Sequence, residues 1–370
     1  MRLEVDGQVL RGRFRGGTDE EWCNRRVLAR IHRLTLGRLR REIEPVSTAE
    51  YVRFLYRWQH VAPGARLHGL DGTMQVIRQL AGYEIPAAAW EASILPARVA
   101  GYKREYLDRL CYAGDLMWGR LDPHPTLRSE DDERARKIRP TKLAPIALFP
   151  REDADLLIVR RDAGETTGLS SAAREVLEEI ARRGAPFFAD VVRGTKRLAA
   201  EVEEALWQLV AAGLVTADGF DALRSLIDAK RRLGEKGHRA RPRSSSGRWT
   251  LLTSPTPALD ADAFARRLLA RWGVVFRDVV ARESLAPPWR ELLGALRRME
   301  ARGEIRGGRF VAGYVGEQYA LPEALDALRA ARRAGEDGAP PAVSAYDPLH
   351  HAATLLPGAP ARPKELVAVS

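Results

Sequence analysis

The sequence predicts a mainly α-helical fold with short β wings, arranged as tandem modules in an extended array. The first observation is a pattern of apolar residues and glycines that recurs four times, most sharply in residues 296–310, LRRMEARGEIRGGRF. The second is the three- or four-residue spacing of apolar residues between these copies, which is typical of amphipathic helices. The third is length, because 370 residues, 45% of them hydrophobic, exceed one ordinary core and predict two to four domains.

Each copy of the pattern encodes a helix followed by a hairpin. In residues 296–310 an apolar pair three places apart marks one helix face, and Gly303 ends the helix, since glycine adopts the left-handed conformation without strain. Ile305 begins a short strand, Gly308 turns the chain, and Phe310 returns to the same core. The other three copies begin at Leu3, Leu107 and Leu206. Helix, glycine stop, strand, tight turn and strand form the back half of a winged helix, so we predict tandem winged-helix modules.

Two further helices precede each of the two later copies, as a complete winged helix requires. Ser170 or Ser171 is predicted to cap the first helix of one module, and Asp260 the first helix of the next. The predicted division of the chain is a wing remnant at 1–17, a basic helical segment at 18–69, winged helices at 70–122, 168–252 and 253–322, a linker and strand segment at 123–167, and a tail at 323–370.

The first copy of the pattern lacks its front. Leu3 takes the place of the second of the two apolar helix residues in the pattern, so Met1 falls inside what would be the third helix of a winged helix. The sequence therefore predicts a late start within a longer protein. Residues 18–46 then predict one long basic amphipathic helix that opens with a capping box between Thr18 and Glu21. The buried stripe of this helix is predicted at Leu28, Ile31, Leu39 and Ile43.

The charge of the chain indicates an anionic polymer as partner. The net charge is +11, and only seven of the 60 basic residues are lysine, whereas the planar guanidinium of arginine suits phosphates and base edges. Residues 228–247 hold seven basic residues against two acids and are predicted to be a mobile basic loop that contacts phosphates without sequence preference. The candidate DNA contacts are Arg11, Arg13, Arg30, Arg33, Lys103, Arg104, Arg120, Lys230, Arg231, Arg232, Arg290, Arg297, Arg298 and Arg309.

Two other interpretations of these features stay open. Arginines also decorate solvated helix faces, and winged helices serve as protein–protein modules as well as DNA-binding ones. The segment 215–221, VTADGFD, is acidic, so we expect this copy to pack against protein while the basic copies face DNA. Scaffolding through protein contacts alone is therefore an alternative function.

Most motifs of catalytic and cofactor sites are absent from the sequence. There is no G-x-x-x-x-G-K-[ST] phosphate cradle and no zinc-type Cys/His spacing, so we expect neither a metal nor a cofactor. No apolar run approaches the ~18–20 residues that span a bilayer, so no membrane partner is expected. Two lone cysteines fit the reducing cytoplasm.

A DNA glycosylase would need a carboxylate or amide that positions water beside a flipped nucleotide. The candidates for that role are Gln59, Glu91, Gln318 and Asp347. Glu91 and Gln318 sit in segments where such side chains more often hold helix ends or loops. Asp347 is the one acid we would test, and no other catalytic residue is assigned.

Several segments resemble a known family. Among them are EEWCNRRVLARIHRLTLGRLRREIEPVS (20–47), FLYRWQHV (54–61), PAAAWEASILPARV (86–99), PPWRELLGALRRMEARGEIRGGRFVAGYVGEQYALPEAL (287–325) and VSAYDPLHHAATLLPG (343–358). On these segments the chain resembles the C-terminal region of the bacterial large helicase-related (Lhr) proteins, over roughly three quarters of its length.

The resemblance implies a tandem winged-helix array in a DNA-repair helicase, with two RecA-like ATPase domains upstream and a homo-oligomer commonly described as a tetramer. The same region is similar to DNA glycosylases of the AlkZ type, and some Lhr members are credited with uracil-DNA glycosylase activity. The Q-x-Q motif of the AlkZ type is absent from this sequence. We therefore expect a DNA-binding and oligomerisation region without ATPase motifs, with a DNA glycosylase and a protein scaffold as alternatives.

Overall fold

The computed structural model describes residues 2–14, 19–41, 44–124, 142–158, 168–227, 247–253, 260–334 and 341–352. Its first elements are helix α1 (Arg2–Val5), strands β1 (Val9–Gly12) and β2 (Glu21–Asn24), and helix α2 (Arg25–Arg41). Strands β1 and β2 pair antiparallel, with Arg11 opposite Trp22. Gly7, at φ +65°, separates α1 from β1, so helix, glycine and hairpin follow the predicted order.

The next elements form a helical unit around small sheets. They are α3 (Thr48–Trp58), β3 (Leu67–His68), α4 (Gly69–Leu80), β4 (Ile85–Pro86), α5 (Ala87–Ala89), α6 (Leu95–Arg98), β5 (Val99–Ala100), α7 (Arg104–Ala113), β6 (Leu116–Gly119), β7 (Pro145–Pro150) and α8 (Ala154–Leu157). A π-helical turn at Trp90–Ile94 joins α5 to α6. Strands β3 and β5 pair in parallel, and β7 lies between β4 and β6 in an antiparallel sheet.

Two more units follow, each with four helices and a small sheet among the described residues. The first contains α9 (Ser171–Arg183), α10 (Phe188–Thr195), α11 (Ala199–Ala211), β8 (Val215–Ala217), α12 (Phe220–Ile227) and β9 (Trp249–Leu251). The second contains α13 (Ala261–Trp272), β10 (Val274–Val275), α14 (Arg277–Val280), α15 (Trp289–Ala301), β11 (Arg306–Gly308), β12 (Gln318–Ala320) and α16 (Pro322–Arg333). Helix α17 (Pro348–Ala352) is the last described element. Strands β8 and β9 pair antiparallel, and β12 lies between β10 and β11.

The predicted helix caps are confirmed. The Ser170 side chain accepts a hydrogen bond from the Ala173 amide at 3.2 Å, and the Asp260 side chain accepts one from the Asp262 amide at 2.9 Å. Both bonds satisfy amides that have no partner inside the first helical turn. These caps place the starts of α9 and α13, and so fix the front of each unit.

The repeated pattern is confirmed as helix, glycine and strand, but its tight turn is wrong. The glycines that end the four helices all have positive φ, namely Gly7, Gly114, Gly213 and Gly303. The partner strands lie farther along the chain than a tight turn allows, as β11 and β12 show. In the third copy Phe220 begins helix α12 rather than a strand, because a helix also places this ring in the core, edge-on to Trp118 at 6.4 Å.

The prediction of one helix over residues 18–46 is wrong at its start. Glu21 lies in strand β2, where it pairs with Gly12, and α2 begins only at Arg25. Pairing with β1 satisfies these backbone groups more completely than a free helical turn would. Ile31, predicted to be buried, is 50% exposed, while the side chains of Leu39 and Ile43 lie outside the described residues. The capping box in this part of the chain belongs to α3, between Ser47 and Glu50.

One sheet is shared by the two hydrophobic cores of the described chain. Side chains of a strand alternate between its faces. Trp118 of β6 and Leu148 of β7 belong to the core that includes α7 and the unit of α9 to α12. Met117 and Phe149, their neighbours along the strands, belong to the core formed with α3 and the unit of α13 to α16. The fold class, mainly α with short β wings in tandem winged helices, is confirmed, and this sheet joins the modules.

Hydrogen bonds reinforce the contact between α3 and the last unit. The buried Tyr51 hydroxyl donates to the Val274 carbonyl at 3.0 Å, and the Trp58 indole donates to the Ala270 carbonyl at 2.8 Å. The first bond satisfies a hydroxyl that burial would otherwise leave unpaired, and the second holds the partly buried Trp58 ring against α13. Helix α3 therefore packs against a unit that lies about 200 residues farther along the chain.

Candidate nucleic-acid interface

The N-terminal candidates lie on an exposed hairpin and helix. Arg11 of β1 pairs with Glu20 at 2.6 Å, and the hydrogen bond to this carboxylate raises the pKa of Arg11. Arg13 and Arg30 are exposed. The side chain of Arg33 lies outside the described residues, as do three further candidates in the predicted basic loop, Lys230, Arg231 and Arg232.

Helix α7 carries its candidates on the solvent side. One side of the helix is buried in the core through Leu107, Leu110 and Cys111. The helix ends at Gly114, which has φ +82°. Lys103 at the N-cap and Arg104 in the first turn are both exposed. The structure therefore places these two candidates where a polyanion can reach them.

The structure corrects the choice of Arg120 as a DNA contact, because this side chain is buried, with 6% of its surface exposed. Its Nε donates to the Asp122 carbonyl at 2.6 Å. The nearby Glu84 carboxylate accepts the Leu121 amide at 2.7 Å, and burial raises the pKa of Glu84 to about 7 although the Arg120 charge lowers it. A position at the end of a predicted wing strand indicated a surface residue, but Arg120 is buried directly after β6 of the shared sheet. Arg120 is therefore removed from the interface.

The candidates on α15 divide into two kinds. Arg290 at the start of the helix and Arg309 in the wing are exposed. Arg297 pairs with Glu317 at 3.0 Å, and the charge of this carboxylate raises the pKa of Arg297. Arg298 pairs with Asp262 of α13.

The pair of Arg298 and Asp262 is part of a larger surface network. Asp262 also pairs with Arg302 at 3.1 Å, and Glu304 pairs with both Arg302 and Arg266. The network ties α15 to α13 and to the start of the wing. Its arginines can reach a phosphate only in competition with these carboxylates.

Asp347, the candidate catalytic acid, is held in a buried ion pair. Arg98 donates from Nη1 to one Asp347 oxygen at 2.6 Å and from Nη2 to the other at 2.8 Å. The side chains are 0% and 1% exposed. Gln59 accepts from the same guanidinium at 3.2 Å and donates to the Arg271 carbonyl at 3.0 Å. This arrangement joins the segment before α17 to α6 and α3, and it does not present a carboxylate to a nucleotide.

The other glycosylase candidates also have structural partners. Arg224 of α12 donates to both oxygens of Glu91 at 2.8 Å. Gln318 accepts from the Phe310 and Val311 amides at 2.9 and 2.8 Å, which closes the wing between β11 and β12. The structure thus does not bring the four candidates together at a common exposed surface.

Among the residues that the structure describes, no three His, Cys, Asp or Glu side chains are grouped as metal ligands would be. Within the same ranges, no helix combines the length and the apolar character that crossing a bilayer requires.

Comparisons with known proteins match two of these modules. Residues 46–137 match the family model for the third winged-helix domain of large helicase-related protein, and residues 254–340 match the model for the fourth. The first range begins two residues before α3 and includes α7 and β6. The second contains α13 through α16.

Two relatives align along most of the chain. One is "Lhr helicase/ probable uracil glycosylase" of Mycolicibacterium smegmatis, 34% identical over 352 residues, which cover 89% of this chain and 22% of that protein. The other is "Lhr helicase/uracil glycosylase" of Escherichia coli, 31% identical over 392 residues, which cover 94% of this chain and 24% of that protein. The chain thus spans about a quarter of the length of these curated relatives. It belongs to the large helicase-related (Lhr) family and corresponds to the C-terminal winged-helix region of that family.

Proposed function

We propose that this chain binds DNA without sequence preference and helps to assemble an Lhr-type repair helicase in the cytoplasm. The observation that carries the proposal is the set of exposed cations on winged-helix elements, among them Lys103, Arg104, Arg290 and Arg309. Contacts from arginine and lysine to phosphates fix a protein on DNA without reading bases. ATP-driven movement would come from a helicase core elsewhere in the full-length protein, since the sequence holds no phosphate cradle.

Salt dependence of DNA affinity tests this proposal. A protein that contacts about 6–10 phosphates loses affinity by about 10³–10⁵ between 50 and 200 mM salt. We expect such a loss for duplexes of unrelated sequence, with similar affinities among them. An affinity that stays constant with salt, or no binding at all, would favour the scaffold function instead.

A DNA glycosylase is the second candidate, because the names of both aligned relatives include uracil glycosylase. Its catalytic group would lie outside the four candidates described above, since all of them have hydrogen-bond or ion-pair partners and Gln59, Gln318 and Asp347 are also buried. Incubation with a uracil-containing or crosslinked duplex, followed by alkali, tests this function. Absence of strand cleavage would remove it.

We also propose that the chain forms a homo-oligomer, with a tetramer as the expected state. The supporting observation is an exposed apolar stripe on α2. Val27, Ile31 and Leu34 follow one another at helical spacing and are 51%, 50% and 60% exposed. Large apolar side chains grouped at a surface favour contact with another protein surface.

A further inference from the structure

The third helix of a winged helix, with its wing, is the part that commonly meets DNA. The described part of the chain has four helices at this position, α1, α7, α11 and α15, each followed by a glycine and a strand. They differ in charge, so they are not equally suited to a phosphate backbone. Helix α1 has four residues, with one arginine and one glutamate, and it offers no cationic face.

Helix α11 presents acids rather than cations. Its sequence, AAEVEEALWQLVA, holds three glutamates and no lysine or arginine. The residues from Ala205 to Ala211 are all buried, so only the first turns reach solvent. Glu201 and Glu204 are exposed there and would repel phosphates. This helix is therefore unsuited to DNA.

Helix α15 has cations, but two of them are already paired. Arg297 and Arg298 hold Glu317 and Asp262, respectively. A phosphate would have to replace a carboxylate at each of them, so the gain from the new contact is offset by the loss of the old one. Arg290 is the exposed arginine of this helix for which the described residues supply no such carboxylate.

Helix α7 differs because its cations have no carboxylate partner among the residues that the structure describes. Lys103, Arg104 and Arg109 are all exposed. Leu107 and Leu110 are buried where α7 packs on α4, and Arg109 lies on the side of the helix away from them. Lys103 and Arg104 reach solvent at the N-terminal end of the helix.

The acids near α7 contact Arg224 rather than the three cations. Asp108 pairs with Arg224 at 2.8 Å, and Arg224 also holds Glu91 at 2.8 Å and Asp221 at 3.6 Å. These three carboxylates outnumber the one guanidinium, but they are directed toward it and away from the three cations of α7. Within α7 itself, Glu105 is the one exposed acid.

We propose that α7 is the principal phosphate-binding helix among these four third helices, with Lys103, Arg104 and Arg109 as its contacts. The proposal rests on the proposed DNA-binding function and assigns it to one surface. Cations without an internal partner bind a phosphate without first breaking an ion pair. The ligand is the sugar–phosphate backbone of DNA, bound without base preference.

The test compares two double variants of the full chain that remove equal charge. R104Q/R109Q changes α7, and R297Q/R298Q changes α15. Affinity for one mixed-sequence duplex is measured by fluorescence anisotropy over about 50–200 mM salt. Each lost phosphate contact reduces the slope of log affinity against log salt by about 0.9. We expect the slope to decrease by about 2 in the α7 variant and by less than about half of that in the α15 variant.

Circular dichroism controls for folding, because exposed Arg104 and Arg109 should be replaceable without loss of helix content. Equal decreases in the two variants, or a larger decrease for R297Q/R298Q, would overturn the assignment to α7. A wild-type affinity that does not change with salt would contradict DNA binding itself. The two failures are thus distinguishable in one experiment.

Discussion

At the scale of single residues, burial decides which of the many arginines can meet a ligand. Arg98 and Arg271 are 0% and 3% exposed, and Arg120 is 6% exposed. The net charge of the chain includes all three of them, although they are not available to a polyanion. The residues around them in the sequence give no signal that they are buried. The partner of Arg98 is Asp347, 249 positions away, so only the folded arrangement identifies the pair. The candidate site could therefore be predicted as a basic surface, but not residue by residue.

The ion pair of Asp347 and Arg98 should stabilise the fold rather than act on DNA. We expect D347N to lower the free energy of unfolding by about 3–5 kcal/mol, because removing one partner leaves a buried charge uncompensated. Denaturant unfolding measures the change. D326N is the matched control, since Asp326 is 78% exposed beside Arg329 and its pair contributes at most about 1 kcal/mol. Unchanged stability in D347N, together with loss of uracil excision, would restore the catalytic interpretation.

Glu84 should make stability depend on pH near neutrality. Burial raises the pKa of this carboxyl from 4.5 to about 7 in the folded chain, so the unfolded chain releases the proton first as pH rises. The free energy of unfolding therefore decreases as pH rises from 4.5 to about 7, by roughly 3 kcal/mol at most. We expect E84Q, whose amide oxygen can still accept the Leu121 amide, to lack this loss. The measurement is urea unfolding at several pH values, and superimposable profiles for the two proteins would refute it.

At the scale of elements, local rules predicted the ends of helices better than the pairing of strands. Gly303 and the caps Ser170 and Asp260 act within one turn, so their effect is readable from neighbouring residues. The partner of β6 is β7, which follows a long intervening segment, and no local rule specifies that separation. Phe220 shows the same limit, because its burial is compatible with a helix or a strand and tertiary packing selects the helix.

The sheet of β6 and β7 should couple the two cores. Phe149 and Leu148 are neighbours on β7, both 0% exposed, and they face different cores. We expect F149A to cost about 3–5 kcal/mol and L148A about 2–5 kcal/mol. Because the strand serves both cores, each variant should shift one common unfolding transition in urea, followed by circular dichroism and tryptophan fluorescence. Two separate transitions, with only one of them moved by each variant, would show that the modules unfold independently.

At the scale of the whole molecule, the exposed cations of α7 and the main group of exposed apolar side chains lie on different units. Of the exposed large apolar residues in the described chain, a group lies between Leu3 and Leu34, on α1, the N-terminal hairpin and α2. The exposed cations of α7 belong to another unit, which shares its core with α9 to α12. This separation allows one surface to hold DNA while another holds a protein partner, and salt should weaken the first contact far more than the second.

The apolar stripe on α2 provides the test of assembly. We expect V27S/I31S/L34S to reduce the mass measured by light scattering toward the 41.2 kDa of one chain, because burial of apolar surface drives such contacts at about 25 cal/mol per Å². V315S is the control, since Val315 is 87% exposed but lies alone in the last wing. The assembly should persist at salt concentrations that release DNA. A triple variant with the mass of the wild-type protein would exclude α2 as the contact between copies.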